Sequence, residues 1–304
     1  MNLHCVPATQ AWGAAVGLVA DRLVGEPPAV LHPVAAFGSS MRGMESRLWA
    51  DSRAPGTAYA AIGLAGGAAA GWLLRSTVAA TTLATAGRAL ARAAAEVGRA
   101  LEGDDLDRAR ALLPALVGRD TAGLDAKEVA RAVVESVAEN TVDAVVAPAL
   151  WAAVAGAPGA LGYRAANTLD SMVGHRSPRY RRFGWASARL DDAAGWLPAR
   201  VTAGLVAAVR PRSAASVLEA VRRDAPGHPS PNAGVAEAAF AAALGLRLGG
   251  PTVYEGRVEL RPSLGAGRPP EAADIGRAVR LSSDVTLALA AALAAVGAWA
   301  GLRR

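Results

Sequence analysis

The sequence predicts an all-α, polytopic membrane protein that also contains amphipathic and soluble helices. Pro and Gly breaks divide the 304-residue chain into segments with apolar residues at three- and four-residue spacing, which is typical of helices. A helix that crosses the hydrocarbon core of a bilayer needs about 20 mostly apolar residues. Three uncharged runs meet that requirement, and they are 54–74, 144–163 and 285–302.

Shorter apolar runs and charged segments lie between these candidate spans. Four further runs predict buried helices or partial spans, at 11–20, 76–87, 201–209 and 233–246. Residues 88–140 carry more charge and predict a cytosolic helical insertion in what is otherwise one membrane-embedded domain over 1–304. Alternating residues at 252–261, around Glu255 and Gly256, predict at most one small β-hairpin.

Composition leaves a soluble protein with buried helices as the alternative to a membrane protein. The apolar runs are rich in Ala and Gly, and the mean hydropathy of +0.24 is modest for a multi-pass chain. The net charge of +6 comes almost entirely from Arg residues beside the apolar runs, which is the pattern of cytoplasmic flanks. Because no aromatic platform accompanies these arginines, the sequence argues against nucleic acid as a partner.

Residues 127–140 have the clearest amphipathic pattern in the chain. At about 100° per residue, the valines fall on one side and Glu135 and Glu139 fall on the other. Like charges four residues apart are mildly destabilising on a helix, and these two lead directly into Asn140, Thr141 and Asp143. The pattern therefore indicates a functional polar site more than a solvated acidic face.

A polar stripe follows the second candidate span. In a helix, Arg164, Asn167, Thr168 and Ser171 lie on one face, with Asp170 beside them. The stripe lacks the Gly-x-Ser-x-Gly turn of a hydrolase nucleophile, which argues against serine hydrolysis. Its donors and acceptors favour recognition of a polar ligand that bears amides.

Adjacent carboxylates at Asp191 and Asp192 follow Arg189 in the sequence. Mg²⁺ prefers one or two carboxylates together with water and phosphate oxygens, so this pair is the candidate metal site. A capped helix end with no metal is the structural alternative. No Walker-type phosphate loop is present, so any nucleotide site is of another type.

Residues 223–234 form a proline-rich loop that holds polar side chains on a restrained backbone. His228, Ser230 and Asn232 lie among the prolines, and Arg223 precedes them. Arg recognises phosphate or carboxylate through paired hydrogen bonds. A rigid interhelical turn with incidental polar groups is the competing interpretation.

Taken together, four ordered motifs resemble the CobD/CbiB family, the adenosylcobinamide-phosphate synthases of cobalamin biosynthesis. The most specific strings are NTLDSM and HPSPNAG, and the four motifs cover most of the chain. They lie at 21–34, 118–151, 158–192 and 223–234. The linkers at 88–117 and 250–274 match only loosely.

The resemblance implies a multi-pass protein of the inner (cytoplasmic) membrane, in contact with lipid, whose active site faces the cytoplasm. The implied reaction joins (R)-1-amino-2-propanol, or its O-phosphate, to the propionate carboxylate of adenosylcobyric acid as an amide. Because an amide does not form spontaneously from a free carboxylate in water, ATP and Mg²⁺ are the expected cofactors. The sequence does not place ATP, and a homo-oligomer stays open.

This chemistry assigns hypothetical roles within the cytosolic segments 164–192 and 223–234 and in the helix before them. Glu139, Asp143 and Asp170 are the candidate catalytic carboxylates, and Asp191 with Asp192 would hold Mg²⁺. The candidate substrate-binding residues are Glu135, Asn140, Thr141, Arg164, Asn167, Thr168, Ser171, Arg189, Arg223, His228, Ser230 and Asn232.

Two other functions remain open at this stage. One is a membrane prenyl- or phospho-transferase, although such enzymes show two Asp-rich motifs and DDAAG occurs here only once. The other is a non-enzymatic membrane protein that binds corrinoid without converting it.

Overall fold

A computed structural model of the chain describes residues 8–25, 33–175, 177–254 and 257–303. Two features predicted from the sequence lie outside this part, namely the turn at Glu255 and Gly256 and residues 26–32 of the first family motif.

The described residues form twelve α-helices and one two-stranded antiparallel sheet, which confirms the all-α class with a single small hairpin. A π-helical segment at residues 142–146 joins α7 to α8 without a break. The elements are α1 (Ala8–Val24), α2 (Pro33–Leu48), α3 (Arg53–Leu74), α4 (Thr77–Ala84), α5 (Gly87–Glu102), α6 (Leu106–Leu112), α7 (Ala126–Thr141), α8 (Ala147–Val173), α9 (Trp185–Val209), α10 (Ala214–Arg223), α11 (Ala233–Leu244), β1 (Leu248–Tyr254), β2 (Arg257–Leu264) and α12 (Ala272–Leu302).

Three stretches of helix are long and apolar enough to cross a membrane. They are α3, the continuous run Ala126–Val173, and α12, and each contains one of the spans predicted from the sequence. Only 28% of the apolar window of α3 and 33% of that of α12 is buried within the protein. Helices with so much outward apolar surface are suited to lipid and not to water.

Arginine and tryptophan pairs lie at the ends of these helices. Arg53 lies 4.8 Å from the ring centre of Trp185 at the start of α3, and Arg75 lies 5.7 Å from that of Trp72 at its end. Arg303 stacks in the same way over Trp299 after α12, at 3.9 Å. Trp and Arg are enriched where a span meets the aqueous interface, so these pairs support the membrane assignment.

The chain divides into two compact units. The first contains residues 1–86, 143–196 and 289–304, and the second contains 87–142 and 197–288.

In the first unit, α8 packs against α1, α2, α3 and α4. A row of glycines on α3, at Gly63, Gly67 and Gly71, faces α8. A Cβ atom placed on Gly71 would lie 2.3 Å from the carbonyl oxygen of Ala157. The helices therefore approach as closely as their backbones allow, which is how small residues pack helices in lipid.

Replacing Gly71 with Ala is expected to destabilise the protein by about 1–3 kcal/mol, because the new methyl group collides with rigid backbone. The matched control is Gly66→Ala on the same helix, where an added Cβ meets no atom within 4 Å. We expect that change to be neutral or stabilising by up to about 1 kcal/mol. Thermal unfolding in detergent measures both, and equal effects would contradict close α3–α8 packing.

The second unit is built around α7 and α11, which pack against each other. Asp125 and Glu128 form a reciprocal capping box that fixes where α7 begins. Further along α7, Arg131 donates hydrogen bonds to the carbonyl oxygens of Gly249 and Pro251. These bonds fix the β1 strand against the helix that carries Glu135 and Glu139.

Candidate active site

A carboxylate–amide cluster lies in the first unit and consists of Asp143, Tyr163, Asn167 and Asp191. The side-chain nitrogen of Asn167 lies 3.3 Å from Oδ2 of Asp143 and 3.2 Å from Oδ1 of Asp191, and it donates to both. The hydroxyl of Tyr163 donates to Oδ1 of Asp143 at 3.4 Å. Two carboxylates from separate helical segments therefore converge on one buried amide.

Local backbone geometry explains this convergence. Tyr163 and Asn167 are four residues apart on α8 and so lie on one face of that helix. Asp143 lies in the π-helical segment, where the wider turn changes the direction of the side chain relative to a regular helix. Single π-helical turns occur frequently at functional sites. Asp191 comes from α9, and two nearby carboxylates repel each other unless a cation joins them.

A second group, the buried acid cluster, lies in the second unit and consists of Arg119, Glu135, His228 and Glu237. Nη2 of Arg119 lies 2.5 Å from Oε2 of Glu135, and the other oxygen of Glu135 accepts from the Gly249 amide at 2.9 Å. Nε2 of His228 lies 3.7 Å from Oε1 of Glu237. All four side chains are buried.

Burial changes the protonation of this cluster. It raises the pKa of Glu237 well above its ordinary value, and repulsion from Glu135 and Glu139 raises the pKa further. Burial also lowers the pKa of His228 below its ordinary value. Both directions favour the neutral forms of Glu237 and His228, and buried groups with shifted pKa values mark candidate proton-transfer sites.

Comparison with known proteins identifies the family. The family model described as CobD/Cbib protein matches residues 14–282, which is most of the chain. The chain belongs to the CobD/CbiB family. The resemblance that the sequence motifs indicated is thereby confirmed.

Relatives named "Cobalamin biosynthesis protein CobD" match along nearly all of this CobD/CbiB chain. The protein from Mycobacterium tuberculosis (strain ATCC 25618 / H37Rv) is 49% identical over 290 residues, covering 91% of this chain and 92% of the relative. The protein from Chromobacterium violaceum is 43% identical over 300 residues, covering 91% and 95%. No solved structure matches.

Several polar residues predicted from the sequence lie beside the first cluster of this CobD/CbiB chain. Arg164 donates to the side-chain oxygen of Asn167 at 3.5 Å, and its Nε atom is buried without a hydrogen-bond partner among the described residues. The hydroxyls of Thr168 and Ser171 instead bond to carbonyl oxygens one turn earlier on α8. Asp170 is half-buried near the end of the same helix.

Asp191 and Asp192, adjacent in sequence, have different neighbours. Asp191 accepts from Asn167, whereas Asp192 pairs with Arg189 at 3.3 Å, and the Arg189 side chain is 64% exposed. Successive side chains on a helix point about 100° apart, which explains the separation. The carboxylate that the structure places beside Asp191, through their shared contact with Asn167, is thus Asp143 and not the predicted partner Asp192.

Other predicted residues in the second unit form hydrogen bonds or ion pairs with protein groups outside the buried acid cluster. Asn140 donates to the Ser136 carbonyl, and the Thr141 hydroxyl bonds to Val137 and Ser282. Arg223 pairs with Asp224 at 2.7 Å. Two residues of the proline-rich loop also bond locally, because Ser230 accepts from backbone amides at the start of α11 and Asn232 accepts from Arg200.

Glu237 was missed by sequence reasoning. It is the only charged residue in α11, whose sequence is AGVAEAAFAAAL, and its side chain is fully buried. A charged residue is almost never fully buried without a partner, so a single Glu in an otherwise apolar helix was the available signal.

Proposed function

We propose that this CobD/CbiB chain is an enzyme of cobalamin biosynthesis that forms the amide of adenosylcobinamide or its phosphate. It would condense (R)-1-amino-2-propanol, or its O-phosphate, with the propionate carboxylate of adenosylcobyric acid. Family membership supports the pathway, and the relatives carry the name of a cobalamin biosynthesis protein. The observation that carries the chemistry is the convergence of Asp143 and Asp191 on Asn167.

The carboxylate–amide cluster fits Mg²⁺ by the chemistry of its donors. Asp143 and Asp191 supply carboxylate oxygens that Asn167 holds in place. No group of three His, Cys, Asp or Glu side chains in the described part of the chain is arranged to hold a metal ion. Two carboxylates completed by water and phosphate oxygens match the preference of Mg²⁺. When bound, ATP and Mg²⁺ supply the activation that makes amide formation favourable.

The protein's own residues would orient and charge-balance the reactants. Arg164 places a guanidinium beside the cluster, with its buried Nε atom available to an anionic oxygen. Tyr163 and Asn167 fix the orientation of Asp143 by hydrogen bonds, so this carboxylate needs no reorganisation when substrate binds. In the second unit, Glu139 on α7 stays a candidate acid for capture of the amine.

The proposal includes an orientation in the inner membrane. The segment between α8 and α9 carries Arg179, Arg181 and Arg182, and Arg189 follows on α9. Short loops with several arginines remain on the cytoplasmic side. That orientation would give the first cluster access to cytoplasmic ATP.

Purified protein in detergent, incubated with adenosylcobyric acid, ATP, Mg²⁺ and either amine, is expected to yield a condensed corrinoid. Mass spectrometry would detect a product heavier than the corrinoid by the amine less one water. Omitting ATP or Mg²⁺ is the control and should remove the product. Stoichiometric corrinoid binding without an amide would contradict the proposal, and diphosphate release from a polyprenyl donor would favour the transferase.

A further inference from the structure

Glu237 is the most unusual buried group in the described part of the chain. Its side chain is fully buried, and neither carboxyl oxygen has a hydrogen-bond partner among the described residues. An unsatisfied buried acceptor is costly, and a buried carboxylate more so. In native proteins such groups are accounted for by local strain, a bound water or ion, a ligand, or a part in a reaction.

His228 faces Glu237 through its Nε2 atom. Nδ1 of His228 lies 3.1 Å from both the amide nitrogen and the carbonyl oxygen of Ser230, and these contacts fix the orientation of the ring. That Nε2 atom lies 3.7 Å from Oε1 of Glu237 and has no hydrogen-bond partner among the described residues. The ring is therefore held with Nε2 toward the carboxyl group of Glu237, and both oxygens of that group stay available to a donor.

The charges around Glu237 come from two elements and two connecting segments of the second unit. Glu135 and Glu139 lie on α7, Arg119 precedes α7, Arg261 lies on β2, and His228 precedes α11. With Glu237 ionised, three carboxylates face two guanidinium groups, which favours a bound cation. Glu139 lies one helical turn beyond buried Glu135, and both carboxylates act on Glu237 from the same side of α7.

We propose that Glu237, oriented by His228, binds the ammonium group of the incoming amino alcohol and then accepts a proton from it. This inference rests on the proposed function and adds a residue that the sequence motifs did not indicate. An ammonium group supplies the hydrogen-bond donors that both oxygens of Glu237 lack. Nε and Nη1 of Arg119 are also buried without partners in the described residues and would suit the oxygen of the same amino alcohol.

The proton balance has two steps. The neutral carboxyl of Glu237 first loses its proton to solvent as the ammonium cation binds, which leaves an ion pair. An N–H bond of the ammonium then breaks and an O–H bond forms on Glu237, which leaves a neutral amine with a free nitrogen lone pair. Glu237 is therefore a candidate catalytic residue that touches the reacting nitrogen.

Isothermal titration of the full detergent-solubilised protein with (R)-1-amino-2-propanol tests this inference. Titration below the pKa of the free amine, in buffers of different ionisation enthalpy, reports the protons released. Wild type should release close to one proton per amine at pH values below the raised pKa of Glu237, and affinity should increase as pH rises through that pKa.

Glu237→Gln should release no proton, lose this pH dependence, and weaken amine binding about 10- to 100-fold at the higher pH. Its KM for the corrinoid should not change, and Glu237→Asp should restore part of the proton release. The matched control is Glu96→Gln, an exposed residue on α5 in the same unit. Because Gln resembles the neutral carboxyl, the variant should fold with at least wild-type stability.

Unchanged amine affinity and proton release in Glu237→Gln would overturn the inference, as would a wild-type protein that binds neither (R)-1-amino-2-propanol nor its O-phosphate. A purely structural role would appear as lower unfolding temperature with unchanged binding. Failure of the proposed function gives a different result, in which wild type binds the amine and releases the proton but forms no amide.

Discussion

Replacing Asp191 with Asn is expected to lower turnover about 100-fold or more. Asp191 shares the Asn167 amide with Asp143, so the substitution removes one of two carboxylates that would hold Mg²⁺. A metal contributes several kcal/mol of charge stabilisation in a transition state, and each tenfold in rate corresponds to about 1.4 kcal/mol. Steady-state assays at increasing Mg²⁺ should show a higher Mg²⁺ requirement for half-maximal rate.

Asp192→Asn provides the contrasting variant, because it differs from Asp191→Asn by one position in the same helix. Asp192 pairs with Arg189 at 3.3 Å, and we expect a loss below about tenfold with an unchanged Mg²⁺ requirement. Asp143→Asn should resemble Asp191→Asn. Equal effects at positions 191 and 192 would favour the metal site that the sequence predicted, and wild-type behaviour of Asp191→Asn would exclude both versions.

Replacing Glu135 with Ala is expected to cost about 3–5 kcal/mol of unfolding free energy. The side chains of Arg119 and Glu135 are only 5% and 2% exposed, so the substitution leaves a buried guanidinium without its counter-charge. It also removes the acceptor of the Gly249 amide and loosens the β1 strand. Tryptophan fluorescence during denaturant unfolding in detergent measures the change.

Two control variants test whether the stability loss of Glu135→Ala comes from the unpaired buried charge. Asp107→Asn breaks the Arg110–Asp107 pair, in which Asp107 is 94% exposed, and should cost less than about 1 kcal/mol. The double variant Arg119→Met with Glu135→Leu removes both charges and should recover most of the lost stability. A double variant as unstable as Glu135→Ala would show that packing, and not the unpaired charge, causes the loss.

The sequence predicted the helices well because their signals are local. Each candidate span is a continuous uncharged run, and each lies within one helical stretch of the structure. The hairpin also appears where alternation predicted it, as the antiparallel pair β1 and β2. The length of an apolar run and its periodicity are both set within about 20 neighbouring residues. Neither therefore depends on how the helices pack.

Site residues were harder to predict because their neighbours are distant in the chain. Asp191 and Asp192 look equivalent in sequence, yet Asp191 accepts a hydrogen bond from Asn167 and Asp192 pairs with Arg189. Glu135 and Glu139 share one face of α7, but it is Glu135 that forms the short ion pair with Arg119. Glu237 passed unnoticed inside an apolar helix because His228, the residue that it faces, lies in the preceding loop.

The sequence alone determined the helical class, the three apolar stretches that can span a membrane, and the family, through motifs that combine rare residue strings. Tertiary structure alone decided which polar groups meet: Asp143 with Asp191 at Asn167, and Glu237 with His228. The physical reason is that hydrophobic length and periodicity are properties of neighbouring residues. The charge and hydrogen bonding of a buried side chain depend on helices brought together by packing.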